Sequence, residues 1–248
     1  MLVKKIGFEF EFFVGKYING QNELVFPEDY GFSTDEFTIL GEERTEASTN
    51  TPDLMGDFYK KWYRLQELAY KNKLIIYTDG FTSITPEFYA EILRRMGGKE
   101  ISTCRNIYRT DILKMTDAIV EDGVIKSYYI STGLHLHFSF QQRVEYQYPK
   151  LVKIKDKYVH LGEYETRKAK ENVLPEEWMK KIIRGYDKIW LKTLTKDYPR
   201  LKFRQPGFYE TKPWGFEYRS LPFSYKSMAN LPQILVDGFK FLDQIKFV

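Results

Sequence analysis

Gly7-Phe8-Glu9-Phe10-Glu11-Phe12-Phe13 sets a carboxylate at every second position among phenylalanines. Side chains alternate sides along a strand, so this stretch sends Glu9 and Glu11 to one face and Phe8, Phe10 and Phe12 to the other. Two further stretches repeat the pattern: Thr132-Gly133-Leu134-His135-Leu136-His137-Phe138-Ser139 and Gly215-Phe216-Glu217-Tyr218-Arg219. An ordinary half-buried strand also alternates, but its polar positions usually hold Thr, Ser, Lys or a lone carboxylate. Carboxylates on neighbouring strands repel one another unless a cation compensates. Three such strands side by side would gather Glu9, Glu11, Glu217 and His135, a set suited to hard divalent cations. One stretch alone reads as a solvated sheet face; the three together point to a site.

Working outward, residues 3 to 14 read as a Phe-rich strand that ends in a turn at Gly15 and Lys16, and residues 17 to 37 as largely loop. A second strand is expected over residues 39 to 47. Leu54, Phe58, Trp62, Leu65, Leu68 and Ala69 recur at helical spacing, which predicts an amphipathic helix to Asn72 with Asp53 as its cap. Lys73 to Tyr77 reads as a short strand. Thr85-Pro86 opens another helix that stops at Gly97-Gly98. A third helix is expected over about residues 103 to 121, then the His-bearing strand over 126 to 140 and a hairpin strand over 150 to 160. Pro175 opens a helix to about Thr195. A last helix is expected from Met228 to Phe247, with Pro232 in its first turn. The element order gives one α+β domain over residues 1–248: a mainly antiparallel, curved sheet with helices on one face and the three polar stretches on the other.

The chain of 248 residues is long enough for a substantial core, and its aromatic content of 17% excludes a disordered protein. No apolar run reaches the roughly 18 residues of a membrane span. The opening residues lack the apolar core of a signal peptide, and the single cysteine, Cys104, is read as a buried thiol, so a cytoplasmic protein is expected. The net charge of +4 is modest, and its basic clusters alternate with acids and apolar residues. Solvated faces explain them best, with anionic small molecules next and nucleic acid behind.

The first stretch resembles the Gly-x-Glu-x-Glu-Phe-Phe strand of glutamine synthetases. Gly133 to Ser139 is similar to their Gly-x-His-x-His-x-Ser strand, and Glu217-Tyr218-Arg219 to their Glu-x-Arg, all in the family's order. At this length the chain looks more like the compact carboxylate-amine ligases (amidoligases) of that superfamily, particularly the phage-encoded type. Arg204-Gln-Pro-Gly-Phe-Tyr209 with Gly215 to Pro222 resembles their C-terminal part, and Thr45-Glu46 to Pro52 resembles, loosely, their second metal-carboxylate strand. The resemblance implies a glutamine-synthetase-like fold and an ATP-dependent ligase that activates a carboxylate as an acyl phosphate for attack by an amine. It implies Mg²⁺ or Mn²⁺ held by Glu9, His135 and Glu217, and a second ion near the substrate carboxylate held by Glu11 and Glu46, with Glu43 a further candidate. Arg219 would bind the transferring phosphoryl group, Arg204 and Lys202 the nucleotide phosphates, and His137 would position the acyl phosphate or substrate. Acid and amine substrates, small molecules or peptides, are the expected partners, with no membrane and no polynucleotide.

The physical reason stands beside the resemblance. Phosphoryl transfer between two anions needs their repulsion neutralised, which paired cations and arginine do. Zinc fits less well, because no Cys-His set or His-Glu-x-x-His stretch is present. The sequence departs from the family in two places: Glu42, Glu43, Glu46 and Asp79 compete to complete the second ion site, and the loop that would supply an acid for an ammonia site is not recognisable. A regular strand there puts Glu42, Arg44 and Glu46 on one face, which favours Glu46 over Glu43. Two other classes use the same residues, a nucleotide- or amino-acid-binding protein without chemistry and a two-metal phosphoesterase. Oligomeric state is open.

Overall fold

The first strand, β1 (Leu2–Ile18), runs for 17 residues and does not turn at Gly15. A Cβ on Gly15 would lie 2.4 Å from the Tyr77 ring, so the glycine lets that ring lie across the strand. In the computed structural model, which describes residues 2–18, 21–35, 37–97, 105–109, 117–196 and 204–245, the chain is α+β with mainly antiparallel sheets. Cys104 and Lys202 lie outside the described residues.

After β1 come β2 (Gln21–Val25), β3 (Gly41–Arg44), helix α1 (Thr51–Lys71), β4 (Ile75–Tyr77), β5 (Phe81–Ile84) and α2 (Pro86–Arg95). Then follow β6 (Arg105–Asn106), β7 (Asp117–Glu121), β8 (Val124–Ser131), β9 (Gly133–Ile154) and β10 (Lys157–Asn172). The chain continues through α3 (Glu176–Tyr186), a π-helical run at Asp187–Leu191, α4 (Lys192–Leu194), β11 (Phe208–Lys212), β12 (Gly215–Pro222) and α5 (Tyr225–Asp243).

The large sheet has the order β2-β1-β9-β12-β11-β6, with β3 and β4 also on β1 and β10 also on β9. Directly opposed residues of antiparallel strands share a face. The register sets Glu9 opposite His135 on one side and opposite Arg44 on the other. It also sets Glu11 opposite Glu42, and His137 between Gly7 and Glu217. The polar stretches are therefore neighbouring strands in one register.

The opposite face carries the core. Phe8, Phe10, Phe12, Leu134, Leu136, Phe138, Phe216 and Tyr218 are buried against α1, α3 and α5. The Phe58 ring of α1 sits 5.7 Å from Phe8 and 5.2 Å from Phe10. A smaller core fills the other side of the far half of β1. There Phe13, Ile39 and Leu40 meet Ile84, Ile92, Met96 and Ile130 from α2 and a separate sheet, β5-β8-β7.

Several sequence expectations change. Asn50, not Asp53, caps α1, its side chain accepting from the Asp53 amide. Of the helix expected over 103 to 121, the described residues hold β6, irregular chain at 107 to 109, and β7, which Asp122-Gly123, a hairpin turn with φ 51 and 76, pairs with β8. The His-bearing strand divides at Thr132, where the chain leaves the small sheet for the large one; the Thr132 hydroxyl donates to the Phe223 carbonyl. Residues 17 to 37 contain the end of β1 and its partner β2. Residues 141 to 172, of which only 150 to 160 are expected as strand, form a long β9-β10 hairpin. Pro232 lies well inside α5, because Ser224 caps that helix a turn earlier than expected. Buried Leu231, Ile234 and Leu235 hold the helix across the missing hydrogen bond. No helix of the described residues is long and apolar enough to cross a membrane.

Candidate metal site

Each charged side chain reaches the site because its strand spends the alternate positions on the helical core. Glu9, Glu11, His135 and Glu217 are all at most 3% exposed. Glu9 Oε1 lies 3.0 Å from His135 Nδ1, and Glu217 Oε1 lies 3.2 Å from the same nitrogen. Glu11 Oε1 is 3.6 Å from Nε2 on the other edge of the ring. Ligand atoms of Glu9, Glu11 and His135 all fit within 4.8 Å of one another. Three acids thus converge on one imidazole.

Gly133 makes that convergence possible. A Cβ there would sit 2.2 Å from His135 Nε2 and 2.8 Å from both Glu11 Oε2 and Arg204 Nη2. Its amide instead donates to Glu11 Oε2 at 2.5 Å.

Guanidinium groups neutralise the rest. Arg204 is buried: Nη2 donates to Glu11 Oε2 at 3.1 Å, Nε to Ser131 Oγ at 2.9 Å and Nη1 to the Arg219 carbonyl at 2.7 Å. Arg219 Nη1 donates to Glu217 Oε1 at 2.7 Å and Glu210 Oε2 at 3.2 Å, while Lys212 Nζ stands 3.3 Å from Glu217 Oε2. Arg44 bridges Glu9 Oε2 and Glu42 Oε1, each at 2.7 Å.

Burial pushes the Glu9 carboxyl up, but the hydrogen bond and charge of His135 outweigh it and hold it down at about 2. Burial also works against the Glu217 carboxylate, and His135 and Arg219 hold it well below the usual range. Burial and Arg219 oppose a charge on His135, yet Glu11, Glu217 and Glu9 raise it to about 9. Burial raises Glu11. Burial, with the nearby charges of Glu9 and Asp35, lifts Glu42 to about 8. His137 is lowered by burial and stays a neutral imidazole. Its Nε2 has no hydrogen-bond partner among the described residues and faces Glu9 Oε2 and Glu217 Oε2, each at 3.8 Å.

Of the residues expected from sequence, Glu9, Glu11, His135, His137, Glu217, Arg204 and Arg219 are brought together. Glu46 is not. Strand β3 ends at Arg44, so Glu46 lies past it, exposed, with its amide donating to Asp57 Oδ2. Glu43 points to the other side and pairs with Arg64. Glu42, opposite Glu11, takes the position instead, and its Oε2 has no hydrogen-bond partner among the described residues. Arg204 sits buried inside the cluster, tying Glu11 to the Arg219 carbonyl of β12. Glu210, Lys212 and Asp35 were not singled out from sequence; Glu210 and Lys212 lie one strand over from Glu217, a register the sequence does not print.

The residues fit a divalent cation. Hard carboxylate oxygens with one imidazole are ligands of Mg²⁺ or Mn²⁺, and Glu9, Glu11 and His135 bring such atoms together. Two residues beyond Glu11, on the same face of β1, Phe13 floors a cleft of about 430 Å³ lined also by Leu24, Tyr77, Phe81, Ile84 and Phe88. Comparison of the chain with protein-family models, curated proteins and solved structures gives no match.

Proposed function

We propose that the chain is an ATP-dependent carboxylate-amine ligase with a glutamine-synthetase-like catalytic fold. The observation that carries this reading is the meeting of Glu9 and Glu217 on His135 Nδ1 from three strands, beside an arginine on the third. A free carboxylate is a poor acylating agent at neutral pH, and ATP would supply the phosphoryl group that activates it. Glu9, His135 and Glu217 would hold the divalent ion that shields the phosphates.

The protein's own groups would do the rest. Arg219, anchored by Glu217 and Glu210, keeps a fixed positive charge where negative charge accumulates. Arg204 and the Gly133 amide lock Glu11 in place. His137 offers a neutral nitrogen that can accept a hydrogen bond or a proton from an incoming amine, and the Trp214 ring 5.4 Å away shields it. The adjoining cleft has the size of a small-molecule site, with an apolar floor and a polar rim.

The test is release of ADP and phosphate from a pool of carboxylic acids and amines. Turnover should require acid, amine and divalent ion together, and Glu217→Ala should lower it by about a thousandfold or more. Phosphodiester hydrolysis without an amine would replace this reading with a two-metal phosphoesterase.

A further inference from the structure

We propose that the cleft beyond Glu11 takes a ligand that joins a bulky apolar body to an ammonium group. This rests on the ligase reading only for what happens to that ligand once it is bound. The cleft, of about 430 Å³, has the size of a small-molecule site, and rings line it: Phe13 from β1, Tyr77 from β4, Phe81 from β5 and Phe88 from α2. Among the described residues its lining holds no lysine, arginine or histidine, and two acids, Glu23 and Asp79. Glu23 stands opposite Lys16 in the β1-β2 register, so Asp79 sets the sign of the charge in the cleft. Aromatic rings beside a carboxylate attract a cation in two ways, through the ring faces and through the opposite charge. An anion in the same place would meet Asp79 with no cation of the lining to offset it.

Tyr77 adds a hydrogen-bonding group. Its hydroxyl is buried and has no hydrogen-bond partner among the described residues, so a ligand atom there gains a bond that the fold does not supply. The ring holds its place because residue 15 is glycine: a Cβ there would lie 2.4 Å from Cε2 and 2.9 Å from the hydroxyl oxygen. Burial and the nearby Asp79 charge hold the phenol above its ordinary range, so it stays a neutral hydroxyl. An ammonium group has three N–H donors, enough for Asp79 and Tyr77 together.

The fold ties this cleft to the carboxylate cluster. The Thr132 amide donates to the Gly80 carbonyl at 3.0 Å, and the next amide, Gly133, donates to Glu11 Oε2 at 2.5 Å. The turn that carries Asp79 is thereby fastened to the strand end beside Glu11, and Phe13 lies about 7 Å along β1 from Glu11. Two sources share the ligand chemistry: a free amine, and an amino acid whose carboxylate lies toward Glu11.

Calorimetric titration of phenethylammonium, phenylpropanoate and L-phenylalanine into the nucleotide-free full chain, with and without Mg²⁺, reads the preference. Without Mg²⁺, phenethylammonium should bind at least about tenfold tighter than phenylpropanoate. Asp79→Asn should remove that difference, and because Asp79 is exposed the substitution should spare the fold. Tyr77→Phe, which keeps the ring, should weaken phenethylammonium by about fivefold. Phenylpropanoate binding as tightly as phenethylammonium, unchanged phenethylammonium binding by folded Asp79→Asn, or no binding of either compound would overturn the proposal. Mg²⁺ that tightens phenylalanine but not phenethylammonium identifies an amino acid as the ligand. Phenethylammonium tighter than phenylalanine under both conditions identifies a free amine. Phenethylammonium binding without ADP formation in any pool would leave the cleft's preference standing and defeat the ligase reading alone.

Discussion

The two faces of β1 are equally buried and are stabilised by opposite means. Phe8, Phe10 and Phe12 are fully shielded on one face, and Glu9 and Glu11 nearly so on the other. On the phenylalanine face burial is itself the driving force, and it holds under any solution condition that keeps water outside. On the glutamate face burial opposes folding, and the acids stay only because His135, Arg44 and Arg204 neutralise them. One strand thus carries a scaffold that is indifferent to charge and a carboxylate cluster that depends on the cationic side chains around it.

The comparison breaks first on the apolar face. Phe10→Ala should cost about 3–5 kcal/mol of stability, because the ring packs on Phe58, Trp62 and Phe223 together. Chemical denaturation should show this loss unchanged by Mg²⁺. An ion-dependent loss at Phe10 would mean that the two faces are not separate.

The polar face sharpens the comparison through pH. His135 sits at about 9, above its ordinary 6.5, and Glu42 at about 8, above 4.5. The folded protein therefore binds more protons than the unfolded chain. The stabilisation is fully present below those ordinary values and is lost as pH rises through 8 to 9. The metal-free melting temperature should fall by about 5 °C between pH 7 and 9.5, and saturating Mn²⁺ should remove the fall. Glu42→Gln should flatten part of it. A metal-free melting temperature that rises over this range would contradict the ion-dependent account.

What could be read from sequence follows the same division. Alternation names both faces of β1, β9 and β12, because period two is a local property. Pairing is not local, so the partner of Glu11 was misplaced. Glu42, Arg44 and Glu46 share a parity, and only the end of β3 at Arg44 decides that Glu46 drops out. Helix α2 was legible from Thr85-Pro86, where the cap bonds the Phe88 amide. The segment before Asp122-Gly123 was not, since a Gly after an acidic residue ends a helix or closes a hairpin equally well. Of the β9-β10 hairpin beyond residue 140, only residues 150 to 160 are legible as strand, because its outer half is exposed on both strands and shows no buried stripe.

The most direct measurement is calorimetric titration of a non-hydrolysable ATP analogue with and without Mg²⁺, using wild type, Glu217→Ala and Glu46→Ala. The account predicts Mg²⁺-dependent binding by wild type, loss of at least about tenfold in affinity in Glu217→Ala, and an unchanged affinity in Glu46→Ala. Equal binding by Glu217→Ala, or binding that ignores Mg²⁺, would contradict it.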